Sequence, residues 1–207
     1  MKIAIMQPYF FPYIGYFELI SKVDYFIFLD DAQYTRRGWI NRNKISKNNT
    51  EYKLVVPVKK SHQKTKIMDI EVYNNIWVDK HIKTFNHLYG KKIYKNNFIK
   101  NYQNYKNTNK LCDILINSII ETSNLFNLSC KFLKSSNLNV DKHGTEKIIN
   151  ICKKLNAKNY YNLPNGSSIY SNEEFKKNGI NLIITNLTTK GFNSTLDFIW
   201  NENYNII

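Results

Sequence analysis

Apolar positions along the chain fall into short runs and helical stripes that take turns. Lys2 to Met6 is a largely apolar run suited to a buried strand. Gln7-Pro8-Tyr9-Phe10-Phe11-Pro12 follows, and each proline disfavours helix at the residue before it. Tyr13 to Lys22 then sets Tyr13, Phe17 and Ile20 at helical spacing, with Ile14 and Tyr16 beside them. Val23 to Leu29 is a second buried strand and ends in the acidic pair Asp30-Asp31. Strand, proline loop, helix and strand make one βαβ-like unit. Open α/β sheets place ligand sites at such C-terminal strand ends.

The same alternation continues. Tyr52 to Lys59 reads as a strand whose Pro57 marks an end or an edge. Ile67 to Tyr73 reads as a short strand, and Ile76 to Tyr89 as a helix with Gly90 at its C-terminus. Phe98 to Tyr105 is amphipathic without a clear period, and Leu111 to Phe126 is the longest helical pattern. Ser129 to Ser135 is a strand, and Gly144 to Leu155 a helix with Thr145 as candidate N-cap. Asn159 to Tyr161 is a strand, Glu173 to Asn178 a helix closed by Gly179, and Ile180 to Thr185 the last strand. The pattern predicts an α/β fold: a mostly parallel sheet with flanking helices, Rossmann-like. At roughly 100–200 residues per domain, the chain is read as one domain, residues 1–207. A helical excursion is expected around residues 95–128, with Asn101 to Lys110 on the surface.

Composition narrows the function classes. The 207 residues are 43% hydrophobic and 14% aromatic, enough for a packed core and too much for a disordered chain. No apolar run approaches the ~20 residues that span a bilayer. The N-terminal apolar stretch is too short for a signal-peptide core, so a cytoplasmic protein is expected. Cys112, Cys130 and Cys152 are odd in number and widely spaced, which disfavours disulfides and a cysteine zinc site. The formal net charge is +14. Most of the cations are Lys scattered along a chain also rich in Asn, Ile and Tyr, the bias of an AT-rich genome. A nucleic-acid partner is therefore not expected.

Three constellations could carry chemistry. The first is Gln7 to Phe17, where prolines stiffen a loop and Gly15 permits close approach ahead of a helix N-terminus. It reads either as an anion site or as an aromatic core plug. The second joins Asp30, Asp31 and Gln33 to Arg36-Arg37-Gly38-Trp39-Ile40-Asn41-Arg42-Asn43, which holds all three arginines of the chain. Arg grips phosphate or carboxylate in a bidentate fork. The carboxylates could hold Mg²⁺, act as a base or grip a sugar hydroxyl; alternatively one ends the strand and the other pairs with Arg. Neighbouring strand residues point to opposite faces, so at most one faces a site. The third is Trp77-Val78-Asp79-Lys80-His81, where Trp77 and His81 share a helix face. His81 is a candidate base or a structural histidine. No HExxH, GxGxxG, Walker or GxSxG motif is present, and no metal site or cofactor is specified.

The run MQPYFFPYIGYFELI, then DDAQY, GWINRNKI, VPVKK and WVDKH, resembles the WbqC-like protein family in order and spacing. Tyr160-Tyr161-Asn162-Leu163-Pro164-Asn165-Gly166 to Tyr170 fits more loosely. The resemblance implies a bacterial enzyme of surface-polysaccharide or O-antigen (lipopolysaccharide) gene clusters that modifies a nucleotide-linked sugar, with aminoacyl transfer to an amino sugar as a proposed role. The opening also looks like nucleotidylyltransferases of the pantothenate-synthetase type, whose phosphate signature has two His around a Gly. Here Tyr13-Ile14-Gly15-Tyr16 takes that place, and Tyr carries no positive charge.

The expectation is a transferase acting on a nucleotide-linked amino sugar with an acyl donor. Gln7, Pro12, Tyr13, Gly15 and Tyr16 would hold a phosphate or acyl donor. Arg36, Arg37 and Arg42 would bind pyrophosphate or carboxylate, and Trp39 would stack on a base or sugar. Gln33, Asn41, Asn43 and Lys80 complete the binding set, and Asp30, Asp31 or His81 would take a proton from the amine. The alternatives are nucleotidyl transfer from a nucleoside triphosphate and a basic nucleic-acid- or partner-binding module.

Overall fold

Alternate residues of the first strand face opposite ways, and that alternation splits the core in two. The computed structural model describes residues 1–187 and 193–200. In β1 (Lys2–Met6) and β2 (Tyr25–Phe28), Ala4, Phe26 and Phe28 face one side, and Ile3, Ile5 and Ile27 the other. The first side packs under α1 (Ile14–Ser21) and a helical layer of α2 (Ile76–Tyr89), α3 (Phe98–Asn104) and α4 (Leu111–Leu125). The second packs under α5 (Gly144–Lys154) and α6 (Asn172–Lys177), through Ile148, Ile151, Cys152 and Phe175. Each such side chain contributes about 1.5–3 kcal/mol when fully buried.

Together with β5 (Lys131–Lys134), β6 (Asn159–Asn162) and β7 (Asn181–Ile184), these strands form a five-stranded sheet ordered β5-β2-β1-β6-β7, every pair parallel. The chain builds outward from β1 through β2 to β5. It then crosses back and builds the other way through β6 to β7. The α/β expectation holds, and this doubly wound order is compatible with a Rossmann-like arrangement. The reversal lies between β1 and β6, so their C-terminal ends diverge into a crevice. Among the described residues, no helix is long and apolar enough to cross a membrane.

Several local expectations are corrected. Ile67 to Tyr73 is not a strand of the sheet: Ile67–Asp69 is a 3₁₀ turn, and Glu71 and Val72 make only isolated bridges. Thr145 lies inside the first turn of α5 instead of capping it. The stretch Asn101 to Lys110 is not simply surface, because Tyr102 and Tyr105 turn inward and are nearly fully buried. Their rings meet Trp77 and Phe85, where the aromatic area removed from water holds α3 onto α2.

The largest omission is β3 (Arg42–Lys47), read from sequence only as part of the basic patch. It pairs antiparallel with β4 (Thr50–Val55) through the two-residue turn Asn48-Asn49. Both asparagines have left-handed φ, 49° and 62°. A tight hairpin needs that geometry at both positions, and Asn adopts it more readily than other non-glycine residues. The hairpin packs through Ile45 and Leu54 into the larger core. Asp197, on α7 (Thr195–Trp200), pins it there by accepting from the Ser46 amide at 2.8 Å and the Tyr89 hydroxyl at 2.5 Å.

The hairpin also holds the proline loop. The Asn43 side-chain amide donates to the Phe10 carbonyl at 3.1 Å and to the Phe11 carbonyl at 2.6 Å. Ser194 Oγ donates to the same Phe11 oxygen at 3.0 Å, and the Phe10 amide donates to the Ile40 carbonyl at 3.0 Å. Phe11 sits at φ 41°, an uncommon conformation for a bulky residue, and these contacts fix it. Asn43→Ala leaves the Phe10 carbonyl buried without its donor. The expected result is a loss of about 1–3 kcal/mol, read as a lower urea midpoint at unchanged m value.

Candidate functional site

Three contiguous hollows follow the C-terminal edge of the sheet. The central one, about 390 Å³, lies at the reversal point between the ends of β1 and β6. Met6 and Gln7 form one wall, Asn162, Leu163, Asn165 and Gly166 the other, and Tyr9, Tyr13, Tyr16 and Tyr170 supply aromatic surface. Burial pushes the hydroxyls of these four tyrosines above the ordinary phenol range, so they stay protonated donors. Tyr16 Oη donates to the Gln7 carbonyl at 2.9 Å, and Tyr9 Oη to Gln7 Oε1 at 3.1 Å. Gly166 sits against Asn162, where a Cβ would come within 2.6 Å of the Asn162 amide nitrogen. Gly15 is required likewise, because a Cβ there would meet the Tyr13 ring at 2.6 Å. This compartment is neutral, aromatic and lined with amides.

On one side it opens into a hollow of about 580 Å³ that shares Gln7, Tyr9, Tyr13 and Asn165. Pro12, Thr35, Gly38, Ile40, Asn43 and Lys44 line the rest, and Trp39 stands at its wall with 60% of its surface exposed. On the other side, across Leu29, Ile169 and Tyr170, lies a cleft of about 480 Å³. That cleft carries Asp31, Gln33, Lys64, Lys66, His143 and Lys147.

The two adjacent carboxylates share the Ser135 hydroxyl but otherwise take different partners. Asp30 is buried and faces the end of β5, where its oxygens accept from the Ser136 amide at 3.0 Å, Ser136 Oγ at 2.6 Å and Ser135 Oγ at 3.1 Å. It ties β2 to the turn after β5 and does not line the crevice. Asp31 does line it, paired with Lys147 and accepting from Ser135 Oγ at 2.5 Å. Burial works against its charge, but the hydrogen bonds from Lys147 and Ser135 outweigh it and hold the carboxyl below the usual range.

The arginines do not line any of these hollows. Arg36 donates to the Ser61 carbonyl, Arg42 to the Arg36 carbonyl at 2.9 Å, and Arg37 is exposed. Asn41 is structural as well, donating to the Val56 carbonyl at 2.8 Å, and Lys80 lies exposed on α2. His81 is held inside the aromatic core. Its Nε2 accepts the Val55 amide at 3.1 Å, which leaves the proton on Nδ1, 2.6 Å from Tyr102 Oη. Burial lowers its pKa to about 4, so the ring is neutral at pH 7 and joins α2, α3 and β4. Among the described residues, no group of three His, Cys, Asp or Glu side chains gathers that could hold a metal ion.

Lys64, Lys66, His143 and Lys147 were missed in the sequence. The first two lie in a stretch that reads as plain Lys-rich surface, and Lys147 is 116 residues from its partner Asp31. Asn162, Asn165, Gly166 and Tyr170 had a signal, in the turn-rich segment after β6.

The sequence pattern of the WbqC-like protein family matches residues 7–199, which takes in the loop, the hairpin and most of the crevice and of α7. The chain belongs to the WbqC-like protein family. It is also 28% identical over 181 residues to the uncharacterized protein Rv1507c of Mycobacterium tuberculosis, covering 84% of this chain and 77% of that one.

The His81 environment makes a pH prediction for this WbqC-like protein. Its folded pKa lies below the unfolded value near 6.5, so the neutral ring favours the fold at higher pH. That contribution is fully present above pH 6.5 and is lost as pH falls through about 4, on the order of 3 kcal/mol. An NMR titration of the ring should give a midpoint near 4, and His81→Gln should flatten the corresponding stability slope.

Proposed function

We propose that this protein is a transferase that modifies a nucleotide-linked amino sugar, by acyl and for instance glycyl transfer, in bacterial surface-polysaccharide synthesis. The observation that carries the reading is the polarity of the crevice. A neutral, aromatic, amide-lined compartment sits at the sheet's reversal point and opens at one end onto a cationic cleft. A ligand with sugar or base rings at one place and a charged pyrophosphate at another matches that change of lining. Aromatic faces and side-chain amides suit sugar hydroxyls and nucleobases, while ammonium groups suit phosphate. Trp39 is the exposed indole available for stacking, since Trp77 and Trp200 are buried.

Acyl transfer forms a bond from the sugar's amine nitrogen to the donor's carbonyl carbon and breaks the bond to the donor's leaving group. The ammonium first gives up a proton to solvent water, the free amine attacks, and the donor's leaving group departs with the acyl bond's electron pair. Of the three candidate bases, Asp31 alone lies on the crevice wall. A carboxylate held below its usual range is a weak base, so its role on this reading is to orient the ammonium.

A second reading, nucleotidyl transfer, is favoured by the β1, loop, α1, β2 opening in a doubly wound sheet, and it requires a nucleoside triphosphate and Mg²⁺. Thermal-shift measurements separate the two. A nucleotide-linked sugar at ~100 times its dissociation constant should stabilise the fold by about 2.7 kcal/mol, a rise of several degrees. ATP with Mg²⁺ as the stabilising ligand would move the assignment to nucleotidyl transfer. Trp39 provides a second readout: the bound sugar nucleotide should shield its fluorescence from acrylamide. Trp39→Ala should weaken binding roughly tenfold, from the ~1–3 kcal/mol of base stacking.

A further inference from the structure

We propose that the cleft formed by Lys64, Lys66 and Lys147 seats the pyrophosphate bridge of the nucleotide-linked sugar, in place of the arginine cluster. The inference rests on the functional reading above and assigns the anion-binding part of that same crevice.

The charge balance comes first. Three ammonium groups and one carboxylate face this cleft, with His143 beside them. Lys147 is neutralised by Asp31 in a pair whose side chains are only 12% and 13% exposed. Among the described residues, no carboxylate pairs with Lys64 or Lys66, so two cationic charges remain unbalanced. A doubly esterified pyrophosphate carries two negative charges. The match is one to one, and Lys147 is left to hold Asp31 in place.

The lysines are also mounted on fixed backbone. The Tyr34 amide donates to the Thr65 carbonyl and the Ile67 amide to the Ala32 carbonyl, both at 2.9 Å. Gln33 bridges antiparallel to Lys66, and its side-chain amide donates to the Gln63 carbonyl at 2.9 Å. The segment 63–67 is thus zipped to the chain leaving β2. It presents Lys64 and Lys66 toward the cleft from the sheet's C-terminal edge.

Continuity completes the argument. Leu29, Ile169 and Tyr170 line both this cleft and the neutral compartment, so a bound pyrophosphate lies next to the place for an attached ring. Tyr170 is fixed at that junction, its ring 5.8 Å from that of the buried Tyr160, to which it is hydrogen-bonded. The arginines offer no equivalent. Arg36 and Arg42 already donate to backbone carbonyls, and none of the three lines the three hollows along the sheet edge.

Calorimetric titration of the full chain with inorganic pyrophosphate, and with a panel of UDP-, GDP- and dTDP-linked sugars, tests the assignment. The double variant Lys64→Ala, Lys66→Ala alters only exposed side chains. It should weaken pyrophosphate and sugar-nucleotide binding at least about tenfold, while Arg37→Ala should leave both within about twofold. Wild-type affinity in the double variant, no binding of pyrophosphate to the unaltered protein, or a loss confined to Arg37→Ala overturns the seat. Sugar-nucleotide binding that ignores the lysines removes the seat but leaves the functional reading standing. Lysine-dependent pyrophosphate binding with no sugar nucleotide bound keeps the seat and removes the functional reading.

Discussion

One side-chain amide, that of Asn43, holds the architecture of the crevice together. A loop with two prolines and two buried phenylalanines cannot satisfy its carbonyls within itself, and a buried carbonyl without a donor is costly. Asn43 supplies donors to Phe10 and Phe11, and Ser194 supplies another from the chain entering α7. The loop is thereby tied to a hairpin outside the sheet. The hairpin is in turn tied to α7 by Asp197 and to α2 by His81. Tyr9, Pro12 and Tyr13 form walls of the crevice only because that chain of contacts fixes the loop on which they stand.

Seen this way, the polar residues of the region sort by what they face. Asn41, Asn43, Arg36 and Arg42 face backbone carbonyls and build the scaffold. Asp30 faces the serines after β5 and closes one edge of the sheet. Asp31, one residue on in the turn that follows β2, lines the crevice. The net charge of +14 comes mostly from lysines scattered along the chain, and Lys64, Lys66 and Lys147 are three that share a cleft.

The sequence determined a good deal. Apolar runs of strand length, separated by helical periods, pointed to the parallel α/β sheet, because central strands covered on both faces are largely apolar, as β1 and β2 are. The C-terminal ends of β1 and β2 were marked by the prolines and the acidic pair, and the crevice lies at those ends. Gly15 was read as permitting a close approach, and the structure shows the approaching groups to be the Tyr13 ring and the distant Leu187; Trp39, a large aromatic in a polar run, stands at the wall of the outer hollow. The β3–β4 hairpin was less legible, since its turn is Asn48-Asn49 without glycine and its first strand, Arg42–Lys47, has three cations and only one apolar residue, Ile45.

Tertiary structure alone decided which charges meet. Three arginines within seven residues look like an anion site, but adjacency in sequence says nothing about what a long side chain finds to bond. Here two of them found nearby carbonyls. The cationic cleft instead gathers Lys64 and Lys66 from the segment zipped to the end of β2, and Lys147 from the start of α5. For His81 the sequence left a base and a structural histidine open, and packing chose the second: burial among Phe85 on its own helix and the distant Phe10 and Tyr102 keeps the ring neutral. Periodicity encodes which face of an element is buried, and so the sequence determined the layers. Chemistry depends on which faces the fold then sets opposite one another, and only the packed chain decides that.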